Sequence, residues 1–249
     1  VFETRSLSHR FSDGTLALRE VTLRLPFRGF TVIAGRNGAG KTLLSRHLVG
    51  LLRPTAGSVL LDGVPVGENT EAVRRRVGIV FQDPDSQFIG QTVAEDIAFG
   101  LEQRRSRDGG TPREAIEERV ERVLRAFGLE EVRDRDPHTL SGGEKRRVAI
   151  AAVAVVEPQL LILDEPFANL DFPGVSSVLN RIVAVASAGT GVLLITHEVE
   201  KVLAHAERLI VFEEGSVAAD DHPSTLLPKL GTWGLRKPPL PLSELTWIG

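Results

Sequence analysis

Leu16–Leu25, LALREVTLRL, alternates apolar and polar positions, as a half-buried β-strand requires. Phe30–Gly35, FTVIAG, is apolar throughout and runs into a glycine-rich loop. Val77–Gln82 (VGIVFQ), Leu160–Glu165 (LLILDE) and Val192–His197 (VLLITH) repeat that continuous aliphatic character. Strands of this kind belong to a parallel sheet covered on both faces. Gly57–Gly63 reads as a strand closed by a turn, and Glu207–Ala219 as two strands turning at Glu214–Gly215. Helices are predicted over Lys41–Leu52, which stops before Pro54, over Thr92–Leu101, and near Val175–Val185. The segment from Pro112 to Leu129 sets Ile116, Val120, Val123, Leu124 and Phe127 on one helical face. Its opposite face pairs Glu118 with Arg122 and Glu121 with Arg125 at helical spacing, a solvated surface. Arg104–Pro112 reads as a polar loop. Lys237–Gly249 reads as an irregular proline-rich tail, whose end, together with Trp233, either packs on the domain or meets a partner through Trp233 and Trp247.

This pattern predicts one α/β domain of 1–249. Residues 1–84 and 154–220 form its strand-rich core, 85–153 a helical insertion, and 221–249 a tail. Composition supports a globular chain: 249 residues with 42% hydrophobic and 25% charged side chains can bury a sizeable core. The net charge of −3 gives no reason to expect nucleic-acid binding. With no cysteine, disulfides and thiolate sites are excluded, and with no methionine the chain is expected to lack its initiating residue. No apolar run approaches the roughly 20 residues that span a bilayer, and VFETRSLSHRF has no signal-peptide layout. A cytoplasmic chain is expected, with any membrane role reached through another protein.

GRNGAGKT, Gly35–Thr42, follows an apolar strand and opens a helix, the context a phosphate-binding loop needs. Gly35, Asn37, Gly38, Ala39, Gly40 and Leu43 belong to a backbone that curls N–H groups around phosphate oxygens at a helix start. Lys41 is placed to reach the β and γ phosphates, and Thr42 to offer a hydroxyl to Mg²⁺. Asp164, at the carboxyl end of LLILD, is placed to hold that Mg²⁺. Glu165, next in sequence, is placed to polarise a water attacking the γ phosphate. Gln82 and His197 end two further core strands and converge on the same region. Ser141–Glu144, SGGE, reads as a capping box. That explains Ser141 and Glu144 but not Gly142 and Gly143, each costing about 1 kcal/mol against alanine inside a helix. Glycines at a helix start admit the close approach of an anion. Since Gly35–Thr42 already wraps one nucleotide, this second surface points to a nucleotide held by another molecule.

With these motifs together, residues 1–225 closely resemble the ATP-binding cassette (ABC) family of transporter ATPases. LSGGE resembles its signature, GRNGAGKT and LLILDE its Walker A and Walker B motifs. Gln82 falls at its Q-loop, Asn169–Asp171 at its D-loop and His197 at its switch histidine. The resemblance implies a P-loop NTPase of ABC type, with a RecA-like mixed-sheet core, an N-terminal antiparallel β-subdomain and an inserted α-helical subdomain. It implies ATP as ligand and Mg²⁺ at Thr42, Gln82 and Asp164. Catalysis falls to Glu165, His197, Gln82 and Lys41, and Phe11 stacks on adenine. It further implies head-to-tail pairing with a second cassette, identical or related, so that Ser141, Gly142, Gly143 and Asp171 serve the shared sites. Phe81–Gly100 resembles the energy-coupling factor branch, which imports vitamins or transition metal ions. That implies a transmembrane coupling subunit, a substrate-binding membrane protein, and a peripheral place on the cytoplasmic face of the membrane. Other ABC importers or exporters are the alternative; a repair or translation cassette would carry coiled-coil insertions, a CxxC hook or tandem cassettes, and none occurs here. Phe167 and Asn169 stand where many members have Thr and Gly.

Overall fold

The computed structural model describes residues 1–108, 112–239, 241, 242, 245 and 247. In chain order its strands are β1 (Phe2–Arg10), β2 (Leu16–Leu25), β3 (Phe30–Gly35), β4 (Ala56–Leu61), β5 (Val64–Pro65), β6 (Val77–Val80), β7 (Leu160–Asp164), β8 (Gly191–Thr196), β9 (Arg208–Glu213) and β10 (Ser216–Asp221). Its helices are α1 (Lys41–Leu48), α2 (Thr70–Arg76), α3 (Val93–Asp108), α4 (Arg113–Phe127), α5 (Gly142–Ala154), α6 (Phe172–Ser187) and α7 (Pro223–Leu226).

Two sheets face each other. One is antiparallel, in the order β2-β1-β4-β5. The other runs β10-β9-β3-β8-β7-β6, parallel except for the antiparallel edge strand β10. Side chains on its parallel strands alternate between two cores, as the period of two requires. Ile33, Ile162, Leu193, Ile195 and Ile210 point toward the antiparallel sheet and α1, where Phe2, Leu18, Leu44 and Leu48 meet them. Val32, Leu161, Leu163, Val192 and Leu194 point to the other side, covered by α3, α4, α5 and α6 through Ile97, Leu124, Ile150 and Leu179. The fold is the RecA-like mixed sheet with an antiparallel β-subdomain and an inserted helical region.

Some local expectations shift. Helix α3 continues through 104–108, which read as polar loop, because Arg104 is not a solvated charge: its guanidinium donates to the carbonyls of Val156 (2.8 Å) and Arg75 (2.9 Å). Residues 109–111 of that loop lie outside the described residues. Within 221–249, α7 and a 3₁₀ turn over Leu227–Trp233 follow β10, ahead of the proline-rich stretch that begins at Lys237. Trp233 and Trp247 both pack on the helical-side core; residues 240, 243, 244, 246, 248 and 249 of the tail lie outside the described residues.

His47 is 1% exposed on α1. The Leu52 carbonyl 3.1 Å from its Nδ1 can only accept, so Nδ1 carries the proton. Nε2 then accepts from His9 Nδ1 at 3.1 Å. Burial, reinforced by His9, pushes the His47 pKa down to about 4. An unfolded histidine titrates near 6.5, so between those values the unfolded chain binds a proton that the native chain refuses. Stability is therefore full above pH 6.5 and falls by up to about 3 kcal/mol as pH drops toward 4. Urea midpoints measured across this window should decline in the wild type and decline less in His47→Gln; equal slopes would remove His47 as the cause.

Candidate active site

Helix α1 starts without a side-chain cap. Its N-cap is Gly40, in the left-handed region at φ 95°, where a Cβ would lie 2.8 Å from the Ala17 carbonyl oxygen. Glycine is required there by both conformation and contact. The consequence is a helix N-terminus opening onto a cavity of 640 Å³, lined by Asn37, Gly38, Ala39, Gly40, Lys41, Thr42 and Leu43. Gln82, Glu165 and His197 line the same cavity, with Phe11, Thr15, Leu16 and Ala17 also in its wall. A nucleotide-sized, anion-attracting cleft results. Gly35 lies behind the wall, where its carbonyl accepts from Lys41 Nζ at 2.7 Å; that of Arg36 accepts at 3.1 Å. Lys41 is 6% exposed. Burial lowers its pKa, opposed by the Glu165 and Asp164 charges.

The parallel strands β7 and β8 deliver the acidic side. Asp164 ends β7 and is 1% exposed. Burial raises its pKa, with the Thr42 hydroxyl acting against that shift. Its Oδ1 is buried with no hydrogen-bond partner among the described residues. An orphaned carboxylate oxygen beside a threonine hydroxyl is an oxygen-only donor set that fits a hard divalent cation.

Glu165 follows with φ 47°, a left-handed backbone unusual outside glycine. Its N–H donates to the Ile195 carbonyl at 2.8 Å, tying the bend to β8. The carboxylate is gripped from the end of β8. Thr196 Oγ1 donates to Oε2 at 3.0 Å, while the His197 N–H (3.1 Å) and Nδ1 (2.9 Å) meet Oε1. Lys41 Nζ stands 3.9 Å from the same Oε1. His197 thus carries its proton on Nδ1 when facing the carboxylate, leaving Nε2 toward the cleft side of the ring.

Gln82 sits two residues past the end of β6. The ladder stops at Val80, and side chains take over. Gln87 accepts from the Phe81 N–H at 2.6 Å and donates to the Ile79 carbonyl at 3.2 Å. Arg146 Nη1 donates to the carbonyls of Phe81 (3.1 Å) and Gln82 (2.9 Å). Asp85 receives Lys145 Nζ at 2.7 and 2.9 Å. Thr196, Gln87, Lys145 and Arg146 were not singled out from sequence. For Arg146 a signal existed, since it falls four residues before the buried Ile150, on the inner face of α5.

Ser141, Gly142, Gly143 and Asp171 do not line this cavity. Ser141 caps α5 in a complete capping box, with Glu144 Oε2 accepting from the Ser141 N–H at 2.9 Å. Asp171 caps α6 by accepting from the Gly174 N–H at 3.0 Å. Between them, Phe167 is 1% exposed in the core, and Asn169 adopts φ 60°. Asparagine tolerates that left-handed backbone almost as glycine does, which accounts for its presence.

A phosphate-loop helix, an orphaned strand-end aspartate and a braced glutamate define a nucleoside triphosphatase. The family model described as "ABC transporter" matches residues 18–168. Energy-coupling factor transporter ATP-binding protein EcfA of Methanocaldococcus jannaschii is 36% identical over 251 residues, covering 100% of this chain and 88% of that protein. EcfA1 of Methanospirillum hungatei is 43% identical over 223 residues, covering 88% of this chain and 78% of that protein. Among solved structures, cbiO1 of Clostridium perfringens, part of the ABC transporter complex cbiONQ, superimposes with a TM-score of 0.80 at 33% identity, covering 93% of this chain and 94% of that one. The chain belongs to the ABC transporter family, as an ATP-binding protein of the energy-coupling factor type.

Proposed function

We propose that this chain binds and hydrolyses ATP in the cleft above α1 and, paired with a second cassette, drives an energy-coupling factor importer. The observation that carries this reading is the meeting of Lys41, Glu165 and His197 around one carboxylate oxygen at the phosphate-loop cleft. In it Phe11 stacks on adenine, while Lys41 and the first N–H groups of α1 hold the phosphates. Glu165 accepts a proton from the attacking water, oriented by His197 and Thr196. Thr42, Asp164 and Gln82 would hold Mg²⁺, which would supply positive charge to offset that of the phosphates. Positioning and electrostatics do the chemical work.

Ser141, Gly142, Gly143 and Asp171 lie off this cleft and serve the nucleotide of the facing cassette. The core of 1–84 and 154–220 and the helical insertion 85–153 are the two parts that closure moves together, with 221–249 as an appended tail. A groove of 480 Å³ lined by Arg46, Leu51, Leu52, Phe81, Asp83 and Ser86 also reaches Thr42, Gln82 and Asp164. Leu51 and Ile89 are exposed at 56% and 63% nearby in sequence. This groove suits a helix of a transmembrane coupling subunit, so that partner motion reaches the metal ligands. Among the described residues no helix is long and apolar enough to cross a membrane. On the importer reading, attachment is peripheral, at the cytoplasmic face. Vitamins or transition metal ions are the cargo class, bound by a separate membrane protein.

Affinity purification of the full chain from its native membrane should recover small integral membrane proteins and a second cassette. Recovery of nucleic acid instead, lost steeply with salt, would overturn the transport reading.

A further inference from the structure

We infer that Arg146 is a positioning residue for hydrolysis, fastening the Gln82 segment to the helix that carries the signature turn. The inference rests on the hydrolytic reading above. Arg146 lies on α5, one turn past Gly142 and Gly143, and is 4% exposed. A guanidinium at that depth is an expensive choice for packing alone, where an apolar side chain would serve better. Burial lowers its pKa, and only the charges of Asp83, Asp164 and Glu165 work in the other direction.

Its hydrogen bonds show what it holds. Nη1 takes the two carbonyls that follow the end of β6, those of Phe81 and Gln82. Phe81 is then fixed at both ends, its N–H by Gln87 and its carbonyl by Arg146. Beyond Val80 no ladder bond holds this backbone, so these side chains decide where Gln82 stands. A second tie runs parallel to the first, from Lys145 of α5 to Asp85. Arg146 also supplies positive charge to the buried carboxylate pair at the end of β7, with Nε buried and without a hydrogen-bond partner among the described residues. The signature turn and the Gln82 segment therefore move as one body, and loss of Arg146 frees Gln82 without touching the phosphate loop.

The test is steady-state ATP hydrolysis by the full chain carrying Arg146→Gln, with Arg146→Met as the second variant and Arg146→Lys as the conservative one. The expected result is a kcat about tenfold to a hundredfold lower in the Gln and Met variants, with KM for ATP within about threefold of wild type, and partial recovery in the Lys variant. Binding of a fluorescent ATP analogue should be unchanged in all three. A folded Gln or Met variant with wild-type kcat would overturn the inference. So would kcat and ATP affinity falling in parallel with thermal stability, the mark of a merely structural residue. If the Gln variant does not fold, the Met variant decides by the same criteria. A wild-type chain without ATPase activity would sink the hydrolytic reading and this inference with it, whereas an active wild type beside an equally active Arg146→Gln sinks this inference alone.

Discussion

Glu165→Gln is expected to lower ATP turnover by about a thousandfold while leaving ATP binding intact, within the range for loss of a general base. The substitution preserves size and removes the capacity to accept a proton. Its neighbours can accommodate the amide. The remaining oxygen still faces the two His197 donors, and the Thr196 hydroxyl can rotate to accept from the new NH₂ group. Folding should therefore survive. Because hydrolysis reopens the closed pair, the variant should accumulate as an ATP-bound dimer. Phosphate release gives the first quantity, and size-exclusion chromatography with and without ATP gives the second. Wild-type turnover in this variant would remove Glu165 from the base role. Slow turnover without any ATP-dependent dimer would leave the chemistry standing and count against the paired-cassette reading.

Gly143→Ala separates folding from function in the opposite sense. A Cβ built on Gly143 meets nothing closer than the Gly174 Cα at 3.8 Å and Arg147 Nη1 at 3.9 Å. At Gly142 the nearest atom is Leu170 Cδ2 at 3.7 Å. These are ordinary contacts, so nothing among the described residues demands glycine at either position. Alanine should stabilise the start of α5 by up to about 1 kcal/mol, raising the melting temperature by roughly 2–4 °C. If the two glycines exist to let a phosphate approach from the facing cassette, the added methyl should nevertheless cut hydrolysis by about a hundredfold, the scale of one lost charge-stabilising donor. ATP binding to the isolated chain should not change, because these residues lie off its own cleft. A more stable variant hydrolysing at the wild-type rate would show that the glycines serve no ligand.

The sequence was most legible where chemistry and local backbone coincide. Gly35–Thr42 needs a strand before it, a helix after it and glycine between, and all three are local properties. β3, β7 and β8 were equally plain, because a sheet buried on both faces leaves its strands uninterruptedly aliphatic. Helix α2, TEAVRRR, escaped notice because it buries only Val73 and so shows no periodicity. Strand β6 ends at Val80, short of Gln82, because Gln87 and Arg146 replace the ladder, and no local pattern announces a side chain arriving from 64 residues away. The polar run after Leu101 misled for a related reason: Arg104 finds backbone carbonyls on α2 and in the turn after α5, so polarity there marks tertiary contact and not a loop. For the site, Phe11, the loop from Asn37 to Leu43, Gln82, Glu165 and His197 line one cleft and Asp164 lines the neighbouring groove, while the bracing of Glu165 by Thr196 and of Gln82 by Arg146 belongs to the fold.

The bend at Glu165 carries a consequence for engineering. At φ 47° the main chain favours glycine or asparagine, while the proposed chemistry demands a carboxylate with the reach of glutamate. Folding and catalysis thus ask for different residues at one position. Replacing glutamate here would trade backbone strain of about 1 kcal/mol or more against the hydrogen bonds from Thr196 and His197, and would discard the activity whichever wins. Stabilising programmes on this cassette should hold position 165 fixed and look for their gains on the solvated face of α4.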